Sequence, residues 1–405
     1  MKKLTFVFTL TIITFLSKAQ VLTTLAGSGT AALTNGTGTV AAFNKPTGIC
    51  SDGTGNFYVT DFNNSTVRKV TSTGVVTTVL SNSGTPVFIN QPTGICIDAS
   101  GNLYVTEYVS CKIDKIAPSG VVSTLAGSGT YGLVDGTGAG AQFAYPNGIC
   151  NDGSGNFYVS EYGNGTVRKV TPAGVVTTVL TNSGTPVSMP TAGGLCVDPS
   201  GNIYVTISQG TKLMKITPAG IVTVFAGSNT PMGSVDGTGT AACFNLPKAV
   251  CIDPSGNLYV SEFGGNKIRK VTPATVVTTL SGTGNGGSYN STQPTGICLY
   301  GNDIYIADNY AHLIRKLSLP VSTGIEDINE SKLANIYPNP SNGLFMIDLK
   351  SAAQIIVTNT LGQTILTETM NPGKHQIDLQ KQANGVYFVK VVQGKQQQII
   401  KLIKE

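Results

Sequence analysis

Histidine is nearly missing from this 405-residue chain, which has only His312 and His375. That excludes a metal centre built from several imidazoles. No H-E-x-x-H, G-x-S-x-G or Walker-type loop offers a ready-made catalytic centre instead. Charge is scarce, with Asp, Glu, Lys and Arg at 12% of residues. The formal net charge is +5, of which Lys2, Lys3 and Lys18 supply three, leaving +2 for the rest. Such a balance gives no broad footprint for nucleic acid or an anionic membrane. The one long apolar run, Leu4 to Leu16, is shorter than the roughly 20 residues a transmembrane helix needs. Flanked by Lys2-Lys3 and Ser17-Lys18-Ala19, it reads as the centre of a secretory signal over residues 1–19. No cysteine follows it to carry a lipid. A sustained 3.6-residue apolar period, the mark of a substantial helix, is also missing. What remains is 40% apolar residues among abundant Gly, Thr, Ser and Asn, the balance of a turn-rich all-β protein.

These residues recur in a frame. Pro92-Thr-Gly-Ile-Cys is followed by a Gly-Asn turn, Leu-Tyr-Val, an acid and Lys-Ile, and the frame begins again at Pro46, Pro146, Pro190, Pro247 and Pro294. In the second copy the alternation predicts strands at 94–98, 102–107, 112–117 and 121–126. The sixth copy has no fourth strand, because Pro320-Val-Ser-Thr-Gly follows its third. The missing strand lies at the other end of the chain, where Val21-Leu-Thr-Thr-Leu-Ala26 matches Val121-Val-Ser-Thr-Leu-Ala126. Closure by that N-terminal strand predicts a six-bladed β-propeller over residues 20–319. Long connectors, Gly27 to Lys45, Gly127 to Tyr145 and Gly227 to Leu246, lead into alternate copies. They share a face with the turns between second and third strands, and loops on a rigid scaffold are where binding is expected.

The frame P-x-G-I-x-x-D-x-x-G-N-x-Y-V-x-[DE] with a later [IV]-x-K strongly resembles the NHL repeat, which implies a propeller fold but no single function. After a linker at 320–332 the composition shifts. Residues 333–405 hold Tyr337-Pro-Asn-Pro-Ser-Asn-Gly, Leu361-Gly-Gln and Asn384-Gly-Val-Tyr-Phe-Val-Lys. They are expected to form a small β-sandwich, and they resemble the type A C-terminal sorting domain of the type IX secretion system of Bacteroidota. That resemblance implies export by the type IX machinery acting on 333–405, and a product that is secreted or attached to the outer-membrane surface.

Candidate chemistry is weighed against scaffolding. Cys50, Cys96, Cys150, Cys196, Cys251 and Cys298 share one repeat position and point alike, so they read as small packing residues rather than disulfides. Cys111 and Cys243 are read as free thiols. Tyr58, Tyr104, Tyr158, Tyr204, Tyr259 and Tyr305 read as buried rings with bonded hydroxyls. The acids ending the second strands, Asp61, Glu107, Glu161, Glu262 and Asp308, with Ile207 in the fourth copy, either line a ligand-binding face or pair with a base such as Lys69, Lys115 or Arg168. Asn63, Asn164, Asn266 and His312 lie near them in sequence and complete the candidate face. The loops at Asn35, Asp135 and Asp236 lack the alternating carboxylates of a calcium site and read as turns, although calcium stays open. Gly282 to Gly287 fits G-x-G-x-x-G without a following helix. No catalytic residue or metal is assigned. The expected function is a monomeric, non-catalytic module binding an extracellular protein or glycan, with a lactonase-, hydrolase- or lyase-type propeller enzyme and a structural surface protein as alternatives.

Overall fold

The computed structural model describes residues 21–81, 83–179, 183–228, 233–281, 293–319, 333–359, 362–394 and 396–405. The expected signal at 1–19, the linker at 320–332 and the Gly282–Gly287 segment lie outside the described residues. The rest falls into two compact units, 21–319 and 333–405. No helix among the described residues is long and apolar enough to cross a membrane.

The first unit is six antiparallel sheets. From its inner strand outward, sheet 1 runs Pro46–Ser51, Asn56–Asp61, Thr66–Thr71 and Val75–Thr78. Sheet 2 runs Pro92–Ile97, Leu103–Glu107, Lys112–Ile116 and Val122–Ala126, within two residues of the expected bounds. Sheet 6 takes its outer strand, Val21–Ala26, from the start of the described chain, with Val21 opposite Ser318 and Thr24 opposite Arg315. Each inner strand packs on the next, and the sixth returns to the first. In the fourth copy Ala192 pairs with Ile207 as Pro46 pairs with Asp61, so the frame starts at Ala192 rather than at Pro190.

Turn chemistry explains the hairpins. Asp98 accepts the Ser100 N–H at 2.9 Å, the Asn102 N–H at 2.9 Å and the Asn102 side-chain amide at 2.7 Å. This Asx turn recurs at Asp52, Asp152, Asp198 and Asp253. Between sheets, apolar residues close the cores, with Phe43, Phe143 and Phe244 fully buried; each contributes about 1.5–3 kcal/mol by burial.

A belt of hydroxyls joins the inner strands around the ring. Thr60 donates to the Thr93 carbonyl at 2.8 Å, Thr106 to Asn147 at 2.8 Å, Thr206 to Lys248 at 2.9 Å and Ser261 to Thr295 at 2.6 Å. Ser160 bonds Gly193 in the same way. Where Ala307 offers no hydroxyl, Thr295 reaches across to Thr47 at 3.0 Å. Every seam of the ring is bonded.

The second unit packs a three-stranded sheet, Ala334–Tyr337, Leu344–Leu349 and Gly373–Asp378, with a four-stranded one, Thr364–Met370, Ala353–Asn359, Gly385–Gln393 and Gln396–Lys404. Phe345, Ile347, Ile355, Val357, Val389 and Leu402 form a buried core between them, the sandwich expected from its alternation.

Candidate functional site

The structure places the sequence-predicted acids inside the sheets. Asp61 is fully buried and 3.0 Å from Arg68, itself fully buried. Glu161 pairs with Arg168 at 3.4 Å, Glu262 with Arg269, and Asp308 with Arg315 at 2.6 Å. The partner stands seven residues after the acid, on the third strand. Sheet 4, with strands Ala192–Val197, Ile203–Ile207, Leu213–Ile216 and Val222–Ala226, replaces both charges, with Ile207 and Met214 at the two positions. Sheet 2 has Glu107 and Asp114 there, and both are buried. Burial and the neighbouring Glu107 push the Asp114 carboxyl up to about 6.

Three arginines do a second job. Arg68 also donates to the carbonyls of Ala42 and Thr34 at 2.8 Å and to Asn35 Oδ1 at 2.9 Å. Arg168 holds Gln142, Val134 and Asp135 in the same way, and Arg269 holds Cys243, Val235 and Asp236. The guanidinium groups lie 5.0–5.5 Å from the rings of Phe43, Phe143 and Phe244. The long connectors are thus clamped onto the sheets they enter. Each adds a two-residue fifth strand, Gly36–Thr37, Gly136–Thr137 or Gly237–Thr238, to the outer edge. The carbonyls of Thr34, Ala42, Val134, Gln142, Val235 and Cys243 and the side chains of Asn35, Asp135 and Asp236 are thus held by arginine.

The remaining members of the expected face have local duties. Asn63 bonds Asn44, and Asn164 bonds Gly132 and Glu161. Asn266 lies exposed in a turn with φ of 52°. His312 Nδ1 accepts the Lys45 N–H at 3.0 Å across the closing seam. The six repeated cysteines are unpaired and sit in the apolar cores between sheets. Burial raises their thiols, that of Cys150 to about 12. Tyr104, Tyr204 and Tyr259 donate to Asp98, Asp198 and Asp253, while Tyr58 and Tyr158 are half-buried under Lys69 and Lys169.

What the ring does build is an axial cavity of about 440 Å³, open among the turns between second and third strands. All six inner strands form its floor. Gly48, Gly94, Gly148, Gly194 and Gly296 occupy matching positions there, with Ala249 as the sixth. Their backbones crowd, since a Cβ on Gly296 would stand 2.3 Å from the Thr47 carbonyl and one on Gly94 would stand 2.4 Å from that of Asn147.

A crown of aromatic residues surrounds this floor: Phe62, Tyr108, Tyr162, Phe263 and Tyr310. The first four directly follow the second-strand acids, and the backbone N–H of each bonds the residue preceding the adjoining inner strand. Those preceding residues, Lys45, Gln91, Tyr145 and Leu246, hold φ between 47° and 56°, a strained setting for side chains of this kind. The crown is two-sided. Tyr108 stacks on Tyr145 at 4.9 Å and approaches Tyr162 at 6.2 Å, while Tyr131 meets Tyr145 edge-on. On the other side Lys248 Nζ stands 5.3 Å from the Phe263 ring, Phe263 meets Tyr310 at 5.9 Å, and Lys45 Nζ stands 5.3 Å from Tyr310. Among the described residues, no acidic side chain lines the cavity. Burial lowers the Lys248 ammonium from its usual range.

Sequence reasoning missed the crown. Its signal was present as an aromatic after the acid in four copies, Asp61-Phe62, Glu107-Tyr108, Glu161-Tyr162 and Glu262-Phe263.

Residues 335–405 match the family described as "Secretion system C-terminal sorting domain", and residues 43–70 match "NHL repeat". The chain carries an NHL repeat and ends in a secretion sorting domain. Over 103 residues it is 38% identical to NHL repeat-containing protein 2 of Bos taurus, a match covering 22% of this chain and 14% of that protein. Among solved structures, a structural-genomics protein of unknown function from Bacteroides thetaiotaomicron superposes with a TM-score of 0.59 at 21% identity, over 74% of this chain and 76% of the other. An auxiliary nutrient binding protein from Bacteroides ovatus gives 0.58 at 17%, with the same shares. Virginiamycin B lyase from Staphylococcus aureus gives 0.50 at 18%, over 74% and 99%. At these identities the structures share a fold. The sorting domain supports export to the cell surface or beyond it.

Proposed function

We propose that this NHL-repeat protein is a secreted or surface-displayed binding module, exported through the type IX machinery, whose ligand enters the axial cavity. The carrying observation is the crown of five aromatics around one cavity with a backbone floor. Half-exposed rings flanked by polar side chains suit a small polar ring with apolar faces, as a sugar has. Asn147 and Asn309 also line the cavity and offer hydrogen-bonding groups. One protein of the same fold, from Bacteroides ovatus, is an auxiliary nutrient binding protein, which is compatible with such a role. A second reading, catalysis in the same cavity, has Lys248 in its favour, since a desolvated amine is a usable nucleophile.

The test is glycan-array binding by the full chain, alongside a Tyr108→Ala/Tyr162→Ala variant. Stacking on aromatic rings is worth about 0.5–1.5 kcal/mol per pair, so the double variant should bind about tenfold to a hundredfold more weakly. Unchanged binding would place the site elsewhere. Turnover of a bound glycan by the parent, lost in Lys248→Met, would favour the enzyme reading. Export is checked by mass spectrometry of culture supernatant and outer membrane, where a purely intracellular protein would contradict it.

A further inference from the structure

Resting on that reading of the cavity, we infer that its ligand is an acidic sugar, held with its ring on the tyrosine side and its anionic group at Lys248. The charge around the cavity is one-sided. Lys45 and Lys248 both line it, and no carboxylate among the described residues does. Four of the five second-strand acids beneath the rim are neutralised from behind by Arg68, Arg168, Arg269 and Arg315. Glu107, the fifth, has its carboxylate committed to the Asn90 N–H at 2.7 Å and does not line the cavity. Lys248 is half-buried and has no ion-pair partner among the described residues. Its ammonium rests instead over the face of Phe263. A desolvated cation with only a ring for company gains from a ligand anion, because a charge-assisted hydrogen bond is stronger than a partly exposed cation–π contact.

The two sides of the crown divide the ligand. On the basic side the ring faces of Phe263 and Tyr310 are already covered by ammonium groups, at 5.3 Å in each case. Among the described residues no cation stands over the rings of the tyrosine side, and the stack of Tyr108 on Tyr145 holds those rings in place. Gln209 bonds the Tyr162 hydroxyl and fixes that ring as well. Asn309 is buried, with its amide donating to the Pro46 carbonyl at 3.2 Å, which leaves its side-chain oxygen as an acceptor for a sugar hydroxyl. A ring stacked at Tyr108 and Tyr162 with a carboxylate directed to Lys248 engages both sides of the crown.

The experiment is a glycan array with uronate-containing oligosaccharides and their neutral counterparts, read with the full chain, Lys248→Met, Lys248→Arg and Tyr108→Ala/Tyr162→Ala. The acidic glycans should bind, and their neutral counterparts should bind at least tenfold more weakly. Lys248→Met should lose about tenfold to a hundredfold on the acidic glycans and little on neutral ones, with Lys248→Arg retaining most of the affinity. Lys248 makes no ion pair among the described residues, and methionine keeps an apolar stem against Phe263, so thermal melting of Lys248→Met should stay close to the parent's. Neutral glycans bound as tightly as acidic ones, through the tyrosines and indifferent to Lys248→Met, would overturn the acidic-sugar inference while the cavity reading stood. No glycan bound at all, or binding indifferent to both sets of variants, would overturn both.

Discussion

Arg68 offers the most demanding test of how the ring is held together. Its guanidinium is fully buried, pairs with a fully buried Asp61 and donates to two connector carbonyls and to Asn35. Arg68→Met leaves Asp61 as an uncompensated buried charge, a change that costs about 3–5 kcal/mol. The carbonyl of buried Ala42 loses the shorter of its two hydrogen bonds in addition, keeping only the Thr34 N–H at 3.4 Å. For a unit of this size each kcal/mol moves the melting temperature by about 2–4 °C, so a fall of roughly 6–20 °C is expected. The chain contains its own control. Sheet 4 uses Ile207 and Met214 where sheet 1 uses Asp61 and Arg68, and it receives no long connector. Asp61→Ile/Arg68→Met should therefore recover the part of the loss that comes from the stranded carboxylate, and none of the part that comes from the connector. Calorimetry on the parent, the single and the double variant gives the three temperatures. A single variant that melts with the parent, or a double no more stable than the single, would refute the reasoning.

Other consequences follow from the same packing. Asp114 prefers its protonated form in the fold, so its contribution is fully present below pH 4 and is lost as pH rises through about 6. Asp114→Asn should raise the melting temperature at pH 7.5 by an amount equivalent to about 1–3 kcal/mol and leave it unchanged at pH 4, as melts across pH would show. Gly296→Ala pushes a methyl against the Thr47 carbonyl and should cost about 1–3 kcal/mol, whereas Ala249→Gly, at the matching position of sheet 5, should cost under about 1 kcal/mol; denaturant titration separates them. Deleting Val21–Ala26 uncovers the edge of Leu313–Ser318, so the truncated chain should melt lower and self-associate in light scattering. An unchanged melt would show that this strand does not close the ring.

The sheets were legible because Asp-x-x-Gly-Asn turns and two-residue alternation leave little choice of register. Closure was legible because Val21 to Ala26 repeats a strand that the sixth copy lacks. The acids were half legible: pairing with a third-strand base was foreseen, Arg168 among the options, but the fixed seven-residue offset shows only when the strands are paired. Whether Asp61 faces the cavity or the sheet depends on how the chain turns after it, and no periodicity reports that. The crown stayed hidden for the same reason, since Phe62 and Tyr108 begin the turns where alternation stops. How the long connectors are held was not legible, since the arginines that tie them down, Arg68, Arg168 and Arg269, stand 33 residues after the Asn or Asp they bond.

The central claim is that ligand enters the axial cavity and meets the aromatic crown. Side-chain NMR of the full chain with labelled tyrosine and phenylalanine rings, titrated with a glycan bound on the array, tests it most directly. The account predicts shifts at Phe62, Tyr108, Tyr162, Phe263 and Tyr310, with Tyr104, Tyr204, Tyr259 and Tyr305 unmoved inside the sheets. Shifts confined to rings outside the crown, while binding proceeds, would contradict it.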